Sequence, residues 1–360
     1  MCTLTAPNQY EGPYYRSLTS QIVPNNTICD YIILNIKQSP DGSYNDTSYM
    51  FLRAHTNRYL FTLDNSVTFR EMKDKLLEQP FMTSVNMIRE ILDLHGFGIF
   101  TLDTYTALTY TATDIDFLNL IFQHLNQMLN KLGGLTPFNF FAFKLRHPKR
   151  AFAEYVEFLQ KINGITSIVI ILTTTDVKSL QVQPSTARDT HCLYHFTEPT
   201  LEDALNLIVG VQAPLNRFAL TLSLRMDVYR DTLLSNIYQT LPGQTLAHAR
   251  SDEHVLRNFD MECWRAVYKH DPTGYSFKYL LKGCCNFANY SGLGLAGVAT
   301  FETSRSIQDK MTSSKRFLQN LSIVSTHVVG WLAHDVTFNL APEQCGGEAN
   351  RLLKMRELVT

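Results

Sequence analysis

Residues 97–145 contain a strand, a helix and a second strand in direct succession. Segment 97–102 is FGIFTL, segment 115–132 is IDFLNLIFQHLNQMLNKL, and segment 139–145 is NFFAFKL. The first and last segments are short, apolar and rich in aromatic residues, which is typical of buried strands. In the middle segment apolar residues recur at spacings of three and four, which predicts an amphipathic helix. This β-α-β order indicates the fold class because it recurs along the chain.

The same alternation extends towards both ends of the sequence. Short apolar runs predict eight strands, at residues 2–6, 29–37, 59–63, 97–102, 139–145, 166–175, 218–224 and 295–301. Helical spacing is clearest over 69–94 and 115–132. Eight strand-helix units predict an α/β protein whose strands close into a (β/α)8 TIM barrel. An open doubly wound sheet is the alternative, since alternation alone does not specify closure.

Two stretches are longer than a minimal barrel requires. Residues from about 228 to 290 predict a small insertion between strands 7 and 8. The last residues, 306–360, predict a C-terminal helix and extension packed on the barrel. We therefore expect a barrel domain over 1–305, insertion included, followed by the extension over 306–360. No internal repeat or low-complexity linker divides the chain further.

Composition excludes several classes of function. The chain has 360 residues, of which 45% are hydrophobic, and its 32 basic and 33 acidic residues give a net charge of −1. These charges are mixed along the sequence, without the basic stripe that nucleic-acid binding requires. The longest apolar run, around 168–172, is far shorter than the roughly 20 residues that span a bilayer. We expect neither a nucleic-acid partner nor a membrane span.

No cofactor or metal site is predicted. Residues 292–297 are GLGLAG, which matches a dinucleotide-binding string, but they lead into a strand and not into the helix that this motif needs. Asp114 and Asp116 could be a metal pair, yet Thr113 and Asp114 before an apolar periodic run are better explained as a helix N-cap.

Cysteines and glycosylation sequons together indicate a secreted, extracellular glycoprotein, and a cytosolic protein is the alternative, because no signal peptide is visible in the sequence. The seven cysteines lack zinc-ligand spacing, which leaves disulfides or buried thiols. We predict that Cys263 pairs with Cys284 or Cys285, and the odd count leaves at least one thiol unpaired. Four Asn-x-Ser/Thr sequons are candidate glycosylation sites: Asn25, Asn45, Asn289 and Asn320.

Several segments resemble, in the same order, the strands and turns of glycoside hydrolase family 18 chitinases. They are Cys2 and Cys29, the segments QY at 9–10 and YYR at 14–16, DYIILNI at 30–36, DGSY at 41–44, LFTL at 60–63, FMTSV at 81–85, ILDLHGF at 91–97 and GLGLAGV at 292–298. The resemblance covers residues 2–302. It implies the same barrel fold, and it implies a Cys2–Cys29 disulfide, because the family pairs its first two cysteines.

The catalytic positions that this resemblance implies are degenerate. The fourth strand of the family carries Asp-Gly-x-Asp-x-Asp-x-Glu, in which the glutamate donates a proton and the aspartates tune its pKa. The aligned residues here are HGFGIFTL at 95–102, so that only the glycine is kept. Leu102 is at the acid position, and Gly98 and Phe100 are at the supporting aspartate positions. A tyrosine position is Thr175, and a sugar-stacking tryptophan position on the last strand is Ala299.

The sequence therefore predicts a pseudo-enzyme related to chitinase-like lectins and growth-factor-like proteins of arthropods such as ticks and mites. It would bind a chitin-type oligosaccharide or a protein partner at the former active-site end of the barrel. Seven residues are candidates for ligand contact: Asp103, Tyr105, Tyr110, Arg146, Asp176, Arg225 and Glu302. A hydrolase with relocated carboxylates at Asp103, Asp176 or Glu302 is one alternative. A structural or storage protein without a specific ligand is the other.

Overall fold

The computed structural model of the protein describes a large part of the chain. The described residues are 1–5, 24, 26–35, 58–63, 68–78, 83, 86, 93–101, 110–131, 138–146, 151–173, 186–189, 199–224, 226–231, 254–257, 276–280, 285–292, 295–321, 329–334 and 351–359.

Thirteen strands lie in these residues. In chain order they are β1 (Cys2–Thr5), β2 (Ile32–Asn35), β3 (Tyr59–Leu63), β4 (Leu94–Thr101), β5 (Phe140–Lys144), β6 (Ile168–Leu172), β7 (Arg217–Ser223), β8 (Met226–Asp231), β9 (His254–Arg257), β10 (Ser276–Leu280), β11 (Cys285–Gly292), β12 (Leu295–Phe301) and β13 (Val329–His334). Eight of them form a closed barrel in the order β1-β13-β7-β6-β5-β4-β3-β2. The consecutive pairs from β1–β2 to β6–β7 are parallel. The predicted (β/α)8 barrel is confirmed, and the open sheet is excluded.

Six helices lie in the described residues. They are α1 (Phe69–Leu76), α2 (Ala112–Lys131), α3 (Phe152–Lys161), α4 (Leu201–Gly210), α5 (Ser304–Asn320) and α6 (Arg351–Val359). Within the predicted range 69–94, α1 and the described residues Thr83 and Asn86 are helical, but the range extends too far at its end, because Leu94 already begins β4. The capping residue of helix α2 is Thr111, two residues before the predicted cap. The Thr111 hydroxyl accepts from the Asp114 N–H at 3.2 Å, and the Asp114 carboxylate accepts from the Thr111 N–H in return.

An apolar cluster fills the barrel interior. It combines alternate residues of β5 and β6 with single residues from other strands: Ile33, Leu60, Phe100, Phe140, Ala142, Ile168, Ile170, Leu172, Ala219 and Leu332. Side chains alternate between the two faces of a strand, so that residues of this cluster face inwards and their neighbours face the helices. Phe143 is one such neighbour, and it contacts Phe158 of α3.

The eighth barrel strand is not the one that the sequence predicted. Residues 295–301 do form a strand, β12, but it pairs antiparallel with β8 and β11 in a separate five-stranded sheet of order β10-β11-β12-β8-β9. Strand β13 closes the barrel instead, and it lies inside the stretch 306–360 that was assigned to a C-terminal extension. A local apolar pattern predicts an extended segment but does not specify its pairing partner, and for this reason the assignment was wrong.

The chain divides into two compact units. The first comprises Met1–Leu172, Asn206–Leu220 and Ile323–Leu332, and contains most of the barrel strands and the apolar interior. The second comprises Thr173–Leu205, Thr221–Ser322 and Ala333–Thr360. It contains the five-stranded sheet and the helices α5 and α6, which pack against each other. No helix in the described part of the chain is long and apolar enough to cross a membrane.

Candidate functional site

Strand β4 carries two of the positions at which the resemblance implies carboxylates. Gly98 pairs with Phe140 of β5, and a Cβ atom added at Gly98 would overlap the Phe140 ring. The Phe140 ring, which is fully buried, therefore occupies the space that an aspartate at position 98 would need. Phe140 was not identified from the sequence, because its pairing with β4 is a property of the sheet.

Phe100 is at the second supporting position. It is 7% exposed and belongs to the interior cluster, together with Leu60, Ala142 and Leu172. The members of that cluster are apolar, so that a carboxylate placed among them would lose its hydration.

Gly96, the one retained residue of the motif, has a steric role. A Cβ atom at this position would overlap the backbone carbonyl of Phe138, whose N–H donates to the His95 carbonyl at 3.0 Å. The close approach of the two backbones therefore requires glycine. His95, at the first motif position, is buried and its Nε2 lies 3.0 Å from a carboxylate oxygen of Asp93.

Arg146 follows β5 at the C-terminal end of the barrel strands, where TIM-barrel proteins bind their ligands. Its backbone N–H donates to Tyr155 Oη at 3.1 Å, and the Tyr155 hydroxyl donates to the Arg146 carbonyl at 3.2 Å. Tyr155 is fully buried in α3, with its ring stacked on Phe143. The structure thus fixes the backbone at Arg146, while its side chain is half-buried.

Tyr110, another predicted ligand contact, lies in the helical layer. Its ring centroid is 4.8 Å from that of Phe69 in α1 and 5.8 Å from that of Phe158 in α3. These aromatic contacts explain a half-buried tyrosine without a ligand. We therefore leave Tyr110 out of the proposed binding residues.

Glu302 lies in a buried polar network of the second unit. Lys310 pairs with its Oε1, and the Ser306 hydroxyl donates to its Oε2 at 2.7 Å. Glu302 is 1% exposed and Lys310 is fully buried. Arg351 of α6, also fully buried, donates to the backbone carbonyls of Leu224 at 2.8 Å and Glu302 at 3.1 Å. This network joins α5, α6 and the residue after β7.

Lys310 and Arg351 were not identified from the sequence. The four-residue spacing of Glu302, Ser306 and Lys310 was an available signal, because it is typical of one helix face. Arg351 had no such signal, since it reaches Glu302 and Leu224 from a distant part of the chain.

The predicted last-strand position is also corrected. Ala299 lies in β12 of the antiparallel sheet, and therefore not on a barrel strand. On β13, alternation from Leu332 brings His334 to the inner face at the C-terminal end of the strand. His334 is thus the last residue of the strand that closes the barrel.

The predicted disulfide between Cys2 and Cys29 is present, with a Cα–Cα distance of 5.8 Å. Of the sequons, Asn320 is exposed at the last residue of α5, and Asn289 lies in β11. Cys285 begins β11. The remaining predicted residues lie outside the described part of the chain: Asn25, Asn45, Leu102, Asp103, Tyr105, Thr175, Asp176, Arg225, Cys263 and Cys284. Within the described part, no group of three or more His, Cys, Asp or Glu side chains could hold a metal ion.

Comparison with known proteins supports the fold. No protein-family model matches the sequence, and no curated protein matches it. Solved structures do match over nearly the whole chain. An immunomodulatory active chitinase from Trichuris suis is 13% identical, with a TM-score of 0.65, covering 100% of this chain and 99% of that one.

Two further structures illustrate the range of proteins with this fold. A family 18 chitinase variant from Cycas revoluta in complex with (GlcNAc)4 is 12% identical, with a TM-score of 0.63 and coverage of 100% and 99% of the two chains. A chitinase-like agglutinin from Robinia pseudoacacia is 12% identical, with a TM-score of 0.60 and coverage of 95% and 96%. The shared barrel therefore occurs in enzymes and in an agglutinin.

Proposed function

We propose that this protein is a secreted, non-catalytic chitinase-like binding protein that takes its ligand at the C-terminal end of the barrel. The observation that carries the proposal is the packing around β4. The Phe140 ring fills the space beside Gly98, and Phe100 lies within the apolar interior. Both are positions at which a family 18 hydrolase needs a carboxylate.

The chemistry of glycoside hydrolysis explains why this packing matters. A carboxylic acid must donate a proton to the glycosidic oxygen, and neighbouring carboxylates hold its pKa in the working range. Alternate residues of one strand deliver these groups to the same face. Here that face of β4 is glycine and phenylalanine, and the acid position in the sequence is Leu102. A single substitution at position 102 would add an acid without its supporting groups.

A chitin-type oligosaccharide is the first ligand to test. Similar structures include a chitinase complexed with (GlcNAc)4 and a chitinase-like agglutinin. In barrel folds the layered interior provides the stability, and the binding residues lie at the strand ends. A barrel without catalytic residues can therefore still bind a ligand. Arg146 has a defined backbone position at this end, and Asp103, Asp176 and Arg225 remain candidates from the sequence. A protein partner bound at the same end is the second possibility.

Secretion is part of the proposal. The Cys2–Cys29 disulfide requires an oxidising compartment to persist. Asn320 is a sequon asparagine with an exposed side chain. A secretory host is therefore the appropriate source of protein for the functional tests.

The decisive experiment combines thermal unfolding with a hydrolysis assay on a panel of chito-oligosaccharides. A ligand that binds only the folded state raises the unfolding midpoint by mass action, so a saturable rise without release of shorter sugars would support a lectin function. Hydrolysis by the wild-type protein would overturn the proposal. No shift at millimolar sugar would remove the oligosaccharide as ligand, and a pull-down for protein partners would follow.

Variants separate the proposal from a hydrolase with relocated carboxylates. The wild-type protein and the variants Asp103→Asn and Asp176→Asn should all show no hydrolysis. Leu102→Glu should also show none, because Gly98 and Phe100 do not supply the carboxylates that would support the new acid. Glu302 is a poor candidate for relocated chemistry, since both of its carboxylate oxygens are engaged inside the protein. A loss of measurable hydrolysis in either aspartate variant would favour the relocated enzyme.

A further inference from the structure

Arg146 is the first residue beyond the ladder that joins β5 and β6. The ladder continues past the end of β5, because the Leu145 N–H donates to the Leu172 carbonyl at 2.9 Å. Leu145 is fully buried, whereas Arg146 is half-buried. The position of Arg146 is thus the point at which the rigid barrel strand gives way to the loop on the ligand-binding end.

A buried side chain from the following helix holds this point. The Tyr155 hydroxyl accepts from the Arg146 N–H and donates to the Arg146 carbonyl, so that it satisfies both backbone groups of the same residue. Tyr155 itself has little freedom, because it is fully buried and its ring lies on that of Phe143 at 5.8 Å and 23°.

These two hydrogen bonds fix the point from which the Arg146 side chain extends. With the backbone fixed on both sides of Cα, the direction of the Cα–Cβ bond is fixed, and the guanidinium can sample only the rotamers that start from it. The Nε atom is buried, which restricts the side chain further. A preorganised guanidinium binds carboxylate or sulfate groups in a bidentate fashion with less loss of entropy than a mobile one.

We propose that Arg146 binds an anionic group, a carboxylate or sulfate, of an oligosaccharide at the C-terminal end of the barrel, and that Tyr155 is the positioning residue for Arg146. This inference rests on the proposed binding function and specifies its ligand as an acidic sugar.

The test compares two probes that differ only in 6-O-sulfation, chitotetraose and 6-O-sulfated chitotetraose. We expect the wild-type protein to bind the sulfated probe about tenfold more tightly at low salt, as one charge-assisted contact can provide. Arg146→Gln should abolish this preference. Tyr155→Phe should reduce it about threefold or more without changing the affinity for the neutral probe, since the backbone of Arg146 loses its anchor.

Two further variants control for charge and folding. Lys161→Gln removes a cation of α3 that is exposed and paired with Glu157, and it should leave the preference unchanged. Arg146→Lys keeps the charge without the planar fork, and it should retain only part of the preference. Circular dichroism of each variant establishes that it is folded. A purely structural role of Tyr155 would lower thermal stability and leave the ratio of the two affinities intact.

The outcomes distinguish this inference from the proposed function. Equal affinity for both probes would overturn the anionic site, whereas the proposed binding of a neutral oligosaccharide would remain supported. Binding of the sulfated probe alone would support the anionic site and remove neutral chitin fragments as the ligand. Binding of neither probe would overturn the inference. If folded Tyr155→Phe kept the full preference, the positioning role would be overturned while the role of Arg146 remained.

Discussion

The Phe140 ring of β5 fills the space into which a side chain at Gly98 of β4 would project. The two residues are direct partners in the parallel ladder. The Phe140 ring thus occupies the space beside Gly98 as part of the apolar barrel interior.

Gly98→Asp should destabilise the protein by at least about 3 kcal/mol, because it combines overpacking against Phe140 with burial of a charge. The free energy of unfolding in urea measures this loss. Gly330→Ala in β13 is the matched control, since a Cβ atom there would meet only the Phe218 carbonyl at 3.8 Å. That control should change stability by no more than about 1 kcal/mol. Equal losses in the two variants would contradict the packing argument.

Lys310→Met should lower the free energy of unfolding by about 3–5 kcal/mol, because it leaves the Glu302 carboxylate buried without its cation. Lys161→Met removes the exposed partner of Glu157 and should cost less than about 1 kcal/mol. In the double variant Glu302→Gln/Lys310→Met, part of the stability should return. A double variant as unstable as the sum of its single changes would show that the two side chains do not interact.

Loss of the Cys2–Cys29 disulfide should lower stability by about 3.5 kcal/mol. The bond closes a loop with a sequence separation of 27 residues, and the loss follows from the greater entropy of the unfolded chain. The double variant Cys2→Ser/Cys29→Ser, compared with the wild type in thermal unfolding, measures the effect. If reduction left the intact mass of the secreted wild type unchanged, this bridge would be absent from the protein.

Asn320→Gln should remove one N-linked glycan from protein made in a secretory host. The asparagine is exposed at the end of α5, and the sequon continues with Leu321, which is 42% exposed, and Ser322. The mobility of the product before and after glycosidase treatment reports the change. Ser322→Ala destroys the same sequon while keeping Asn320, so it should give the same result. An unchanged glycan number in both variants would exclude this site.

The order of strands and helices could be predicted from the sequence up to β7. Seven barrel strands were identified because each is an apolar run bounded by polar segments, and that signal is local. The resemblance aligned Gly98, Phe100 and Leu102 with carboxylate positions of the motif, and the identities of these residues can be read from the sequence alone.

Only the tertiary structure decided how these strands are used. Residues of β12 and β13 are both extended, yet one joins an antiparallel sheet and the other closes the barrel. The same is true of the candidate site. Phe140 packs against Gly98, and Tyr155 forms hydrogen bonds with the Arg146 backbone, although neither pair is adjacent in the sequence. Local patterns follow from the backbone and side-chain preferences of adjacent residues, whereas pairing depends on burial and hydrogen bonding between distant segments, and no single segment encodes these.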